Sequence, residues 1–198
     1  MKKLSIFFII IFLFLGNSLK AYSSNPEEFV NELLNDALKK LSDKSITKED
    51  KSDFIEKVAL ENVDIKALGL YTLGELRKTA TKRDLALYQE TFEKYFLKSL
   101  TSRLTDYSTS KFEILGQDQK SSNYTIIKSK ITPDDGSPEI KIDWRIYTKN
   151  PEKPLIRDLI VEGLSLARTQ KEEFASILSS NDNDINFLIS KLIEFVNN

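Results

Sequence analysis

The chain has 198 residues, with 29 basic and 30 acidic side chains and a net charge of −1. It contains no His and no Cys, which excludes disulfides, imidazole- or thiol-based nucleophilic catalysis, and metal sites built on imidazole or thiolate. Carboxylate, lysine or all-oxygen metal chemistry remains, and no cluster of four basic residues suggests a nucleic acid or an anionic membrane surface as partner.

Lys2 and Lys3 precede an apolar run from Leu4 to Leu15 that only Ser5 interrupts. Gly16 ends the run, and the chain then turns polar. A positive start, a short apolar stretch and small residues near Ala21 form the layout of a secretory signal peptide. The run is far shorter than the roughly 20 residues that cross a bilayer. The expected division is therefore a signal peptide over residues 1–21, with cleavage as late as residue 23, and one domain over 22–198. With no Cys there is no thiol for a lipid anchor, so an exported, soluble periplasmic protein is expected.

From Pro26 to about Tyr107 the pattern is helical. Asn25 is a capping residue, Pro26 takes the first helical position, and Phe29, Leu33, Leu34, Ala37, Leu38 and Leu41 follow a 3.6-residue stripe. A second helix opens at Thr47, and a short one follows Asp64. The longest helix is expected from about Arg83 to Leu104, with Leu85, Tyr88, Phe92, Tyr95, Phe96, Leu100 and Leu104 spaced three or four apart. From Lys111 to Glu162 the period becomes two, and strands are expected at about 111–117, 123–132, 139–148 and 155–162. Short polar links between them imply an antiparallel meander. The third strand alternates Ile140, Ile142, Trp144 and Ile146 against Lys141, Asp143, Arg145 and Tyr147, which gives one dry and one wet face. Two helices, at about 169–179 and 185–197, end the chain. The order predicts an α+β fold with N-terminal helices, a four-stranded antiparallel meander and C-terminal helices, the helices packed on one face of the sheet.

Few motifs carry chemistry. Asp182, Asn183, Asp184 and Asn186 begin like a calcium loop, but the sixth position is Phe187 rather than Gly, so a polar helix cap is the better reading. Asp158 and Glu162, four apart near a strand end, are the one carboxylate pair that an acid–base enzyme could use. A solvated strand end, or an ion pair of Asp158 with Arg145 or Arg157, is the structural alternative.

Two stretches carry a resemblance. The first runs from Ala67, Leu68 and Gly69 through Thr79, Ala80 and Thr81 into the long helix at Tyr88 to Phe96. The second is Arg157 through Leu166, with Asp158, Glu162, Gly163 and Ser165 in a strand-then-helix setting, followed by Arg168, Phe174 and a closing helix. Together they resemble the MlaC family, also known as toluene-tolerance or ABC-transporter auxiliary proteins. One departure is Leu70, Tyr71 and Thr72, where relatives often carry aromatic and basic residues.

The resemblance implies a strongly curved antiparallel sheet with helices enclosing an apolar cavity, in a monomeric, non-enzymatic periplasmic phospholipid carrier. Its partners would be an inner-membrane ABC transporter with an MCE-domain subunit and an outer-membrane lipoprotein complex. It implies no cofactor, the bound phospholipid being cargo. Alternation of the strands then places Ile127, Ile140, Ile142, Trp144, Ile146, Leu159 and Val161 on the lipid-facing side, with Phe92 and Phe96 closing the cavity from the long helix. Rival readings are a carboxylate-dependent enzyme and a periplasmic protein-binding or chaperone module on a similar fold.

Overall fold

The computed structural model describes residues 22–105, 110–134 and 136–198. The expected signal peptide therefore lies outside the described residues. Six α-helices and five strands follow in the order α1 (Pro26–Leu41), α2 (Lys48–Asn62), α3 (Ile65–Thr72), a 3-10 turn (Gly74–Lys78), α4 (Lys82–Leu104), β1 (Ser110–Ser121), β2 (Tyr124–Pro133), β3 (Ile140–Tyr147), β4 (Leu155–Val161), β5 (Leu164–Ser165), α5 (Leu166–Ser179) and α6 (Ile185–Asn197).

Local chemistry sets the helix starts. Asn25 accepts from the backbone N–H of Glu27 and Glu28, with Pro26 at the first position of α1. Thr47 and Asp50 form a reciprocal capping box at α2. Asp184, not a calcium loop, starts α6 by accepting from the Asn186 N–H. Each such cap satisfies donors that a first helical turn leaves unpaired.

The sheet is antiparallel, curved and open, with its strands in chain order. The fifth strand is two residues long and folds back on β4 through Glu162 and Gly163, both at positive φ. Gly163 suits that turn because it has no Cβ. Bulges interrupt the register between Ile114 and Gly116 and again opposite Arg145 and Ile146. Each adds a residue to one strand and increases the local bend and twist.

Two cores form on this frame. The helical core gathers Tyr88 and Phe92 of α4, Phe174 and Leu178 of α5, and Ile185, Leu188, Ile189 and Leu192 of α6. The sheet core joins Phe29, Val30, Leu33 and Leu34 of α1 to Ile127, Trp144, Ile146 and Ile156. Val63 touches both. At the seam Asp64 N–H donates to the Ile156 carbonyl. Arg157, the extra residue of the β4 bulge, reaches Asp64 at 2.8–2.9 Å and stacks over Tyr147.

Candidate functional site: an apolar sheet face beneath helix α1

Directly opposed residues of an antiparallel sheet share a face, so the register lays out one apolar surface in rungs. The first rung is Gln119, Thr125, Ile146 and Ile156, buried except at Gln119. The next is Gln117, Ile127, Trp144 and Leu159. Then come Ile114, Ser129, Ile142, Val161 and Leu164, and finally Phe112, Ile131 and Ile140.

Burial changes along these rungs. Ile127 and Ile146 are fully buried and Trp144 nearly so, under the α1 side chains. Phe112, Ile114, Ile142 and Leu159 are half-buried at the edge of that cluster. Ile131, Ile140 and Val161 are partly exposed, and Leu164 is 69% exposed. The face is thus buried beneath α1 on β2, β3 and β4 and open to water toward Leu164 and, on β1, at Gln117 and Gln119. Between α1 and β1 lies an open recess of about 380 Å³, with Phe112 and Ile114 as its apolar floor and Glu27, Glu28, Asn31 and Asn35 on its helix side.

Two polar groups on the buried part of the face, at Trp144 and Ser129, are paired within the sheet. Trp144 Nε1 donates to Ser129 Oγ at 2.9 Å, and that hydroxyl donates to the Ile142 carbonyl at 3.0 Å. The indole is thereby held flat in the apolar surface, and the buried hydroxyl avoids the cost of an unpaired polar group.

Ile127, Ile140, Ile142, Trp144, Ile146, Leu159 and Val161 occupy this single face. Phe92 and Phe96 do not join them. Phe92 lies in the helical core against Tyr88, Tyr95, Phe96 and Phe174, with ring centroids 5.8–6.3 Å apart, and Phe96 packs on the same cluster. The stripe on α4 is taken up by α5 and α6, because these helices cover the side of α4 that the aromatics occupy. The residues above the sheet are instead Phe29, Val30, Leu33 and Leu34, which read in sequence only as a helical stripe. Phe112 and Ile114 were also detectable, as alternating apolar positions of β1.

The carboxylate pair does not converge. Asp158 accepts from Arg145 Nη1 at 3.1 Å, Ser165 Oγ at 2.6 Å and the Ala167 N–H at 2.9 Å. Ser165 in turn accepts from the Arg168 N–H and caps α5. Asp158 therefore joins β3 and β4 to the start of α5. Glu162 sits in the β4–β5 turn and accepts from the Lys141 N–H. Among the described residues no acidic group is placed to hold a metal ion, and no helix is long and apolar enough to cross a membrane.

Tyr22, just before α1, packs on the sheet core and meets Phe29 edge-on. Burial, and then the nearby carboxylates of Asp36, Glu61 and Glu32, push its phenol up to about 12.

These features define an α+β protein of one open antiparallel sheet whose apolar face is half covered by its first helix. Residues 27–194 match the family described as MlaC protein, and the chain belongs to that family. It is similar in fold to the phospholipid-binding protein from Ralstonia solanacearum, whose structure was determined in complex with a phospholipid. The two share 16% identity and superpose with a TM-score of 0.71 over 90% of this chain and 97% of that one.

Proposed function

We propose that this protein is a periplasmic phospholipid carrier that holds acyl chains on the apolar sheet face and catalyses no reaction. The observation that carries the reading is the graded face itself. It is a mainly apolar surface, buried beneath α1 at Ile127, Trp144 and Ile146 and exposed toward Leu164, beside a recess with an apolar floor and a polar rim. Acyl chains match the apolar surface in chemistry, and the headgroup stays in solvent. Family membership and the lipid bound by the Ralstonia protein support the same reading.

The energetics favour such a device. Each acyl chain left in water costs on the order of 10 kcal/mol at about 0.8 kcal/mol per CH₂. Passage of a free lipid across an aqueous gap is therefore negligible, and a soluble carrier must bury the chains. Ile127, Ile140, Ile142, Trp144, Ile146, Leu159 and Val161 line the site in this proposal. Residues 1–21 direct export. The carrier exchanges lipid with an inner-membrane ABC transporter that has an MCE-domain subunit and with an outer-membrane lipoprotein complex. Carriage needs no ATP; direction comes from partners that bind loaded and unloaded forms differently.

Native mass spectrometry of gently purified protein tests the reading. The expected spectrum contains a species heavier than the polypeptide by one or more phospholipids. Ile142→Asp and Trp144→Asp, folded as judged by circular dichroism, are expected to lose that species, whereas Lys128→Asp on the opposite face keeps it. Only bare polypeptide in the parent protein overturns the proposal, and lipid retained in both face variants refutes the choice of face.

A further inference from the structure

We infer that the recess between α1 and β1 selects cargo by headgroup charge: it favours zwitterionic phospholipids, whose ammonium meets Glu27 and Glu28, over phospholipids of net negative charge. The inference rests on the carrier reading above and narrows its cargo class. The recess holds about 380 Å³, and its floor, Phe112 and Ile114, packs against the sheet core. Acyl chains on that floor leave the headgroup in solvent at the α1 rim. Glu27, Glu28, Asn31 and Asn35 build that rim, and among the described residues no cation lines the recess.

The surroundings leave the rim negative. Glu28 accepts from the Ser23 hydroxyl at 2.7 Å, a neutral donor that does not cancel its charge. The basic residues Lys39 and Lys40 lie in the last turn of α1, and Lys39 is about 17 Å along the axis from Glu28. That is about twice the Debye length of roughly 8 Å at physiological salt, so both are screened from the recess. Lys111 and Glu113 alternate with Phe112 and Ile114 along β1 and belong to the opposite face of the sheet. A phosphate finds no helix-end donors either, because Asn25 Oδ1 takes the N–H groups of Glu27 and Glu28. The Asn31 amide accepts from Asn35 at 3.4 Å through its oxygen, which leaves its NH₂ for a phosphate oxygen. Glu27 stands one helical turn away from Asn31. An ethanolamine headgroup carries its ammonium two carbons beyond its phosphate, and so presents a cation to the carboxylates and an anion to the amide. A glycerol headgroup brings only negative charge to the same carboxylates. One unit charge about 6 Å away in water changes affinity by about threefold, and two by roughly tenfold, before screening.

The test is a competition between two lipids with identical acyl chains. Delipidated protein is equilibrated with vesicles of equimolar dioleoyl phosphatidylethanolamine and dioleoyl phosphatidylglycerol, recovered by gel filtration, and its bound lipids are counted by mass spectrometry. At about 0.05 M salt the expected ratio is several-fold to about tenfold in favour of phosphatidylethanolamine. At about 1 M salt, where the Debye length is about 3 Å, it should fall toward one. Glu27→Gln with Glu28→Gln, folded as judged by circular dichroism, should bind the two lipids about equally at either salt. Glu172→Gln with Glu173→Gln removes the same charge from exposed positions on α5 and should keep the preference. A parent protein whose bound lipids mirror the vesicles, or favour phosphatidylglycerol, overturns the inference and leaves the carrier reading standing. A preference that survives in the Glu27 and Glu28 variant, or that salt leaves unchanged, overturns it as well. No bound lipid of either kind overturns the carrier reading, and this inference with it.

Discussion

The helical core and the sheet core differ in what holds them together. Around Phe92 the rings of Tyr88, Tyr95, Phe96 and Phe174 stack or meet edge to face. Polar ties reinforce the bundle: Thr72 and Tyr88 share a buried hydrogen bond, Tyr95 donates to Gln170, and Lys98 donates to the Val196 carbonyl. The sheet core has its polar ties within the sheet, at Trp144 and Ser129, while α1 rests on it through apolar contact. Directional bonds and interlocked rings specify one arrangement. An aliphatic stripe on an aliphatic surface is held without direction. The first region is therefore fixed by directional contacts and the second by burial alone.

The largest effect expected is in the scaffold. Phe92→Ala should cost about 3–5 kcal/mol, the usual range for emptying an aromatic core position, read from urea unfolding, and added lipid should not restore it. Leu33→Ala under α1 should cost about 2–3 kcal/mol without lipid, near the low end for Leu→Ala, and clearly less when lipid is bound, because an acyl chain can fill the gap. Equal losses with no rescue by lipid would erase the distinction between the two cores. Gly69→Ala should cost about 1–2 kcal/mol. Its Cβ would lie 2.9 Å from Phe92 Cδ1 and 3.2 Å from Gln89 Nε2. Overpacking of that kind costs about 1–3 kcal/mol, offset in part by up to about 1 kcal/mol of helix propensity. A neutral result in thermal or urea unfolding would mean that the α3–α4 contact is looser than the aromatic packing indicates.

The smallest effect is alkaline and local to α1. Tyr22 is neutral below the ordinary tyrosine value near 10, and its folded value is raised to about 12. The stabilisation linked to that shift is fully present below pH 10 and is lost as pH rises through 12. An ionised Tyr22 would face Asp36, Glu61 and Glu32. Amide exchange in α1, measured against that in α4, should accelerate over this window in the parent protein. In Tyr22→Phe the alkaline acceleration should be absent. The same acceleration in both proteins would assign it to another group.

Much of the architecture was legible from periodicity. The long helix, the four main strands and the polar turns between them fall near the expected positions, because an element with one buried face writes its period into the sequence. The face shared by Ile140, Ile142, Trp144 and Ile146 was readable for the same reason. What α4 faces was not. Its aromatic stripe is equally compatible with packing on a sheet or on other helices, and α5 and α6 cover it. The role of Arg157 was also hidden. A one-residue bulge opposite Arg145 and Ile146 turns it toward Asp64, while Arg145 takes Asp158.

By itself the sequence determined the type and order of the elements, the dry face of the sheet and the absence of His and Cys chemistry, since these follow from local spacing and composition. Tertiary structure alone decided that α1, rather than α4, covers that face, that Asp158 ties strands to a helix start, and that the apolar surface opens beside Phe112 and Ile114. Those outcomes depend on which apolar stripe meets which surface. Hydrophobic burial is non-directional, so a stripe records that it will be covered and not by what.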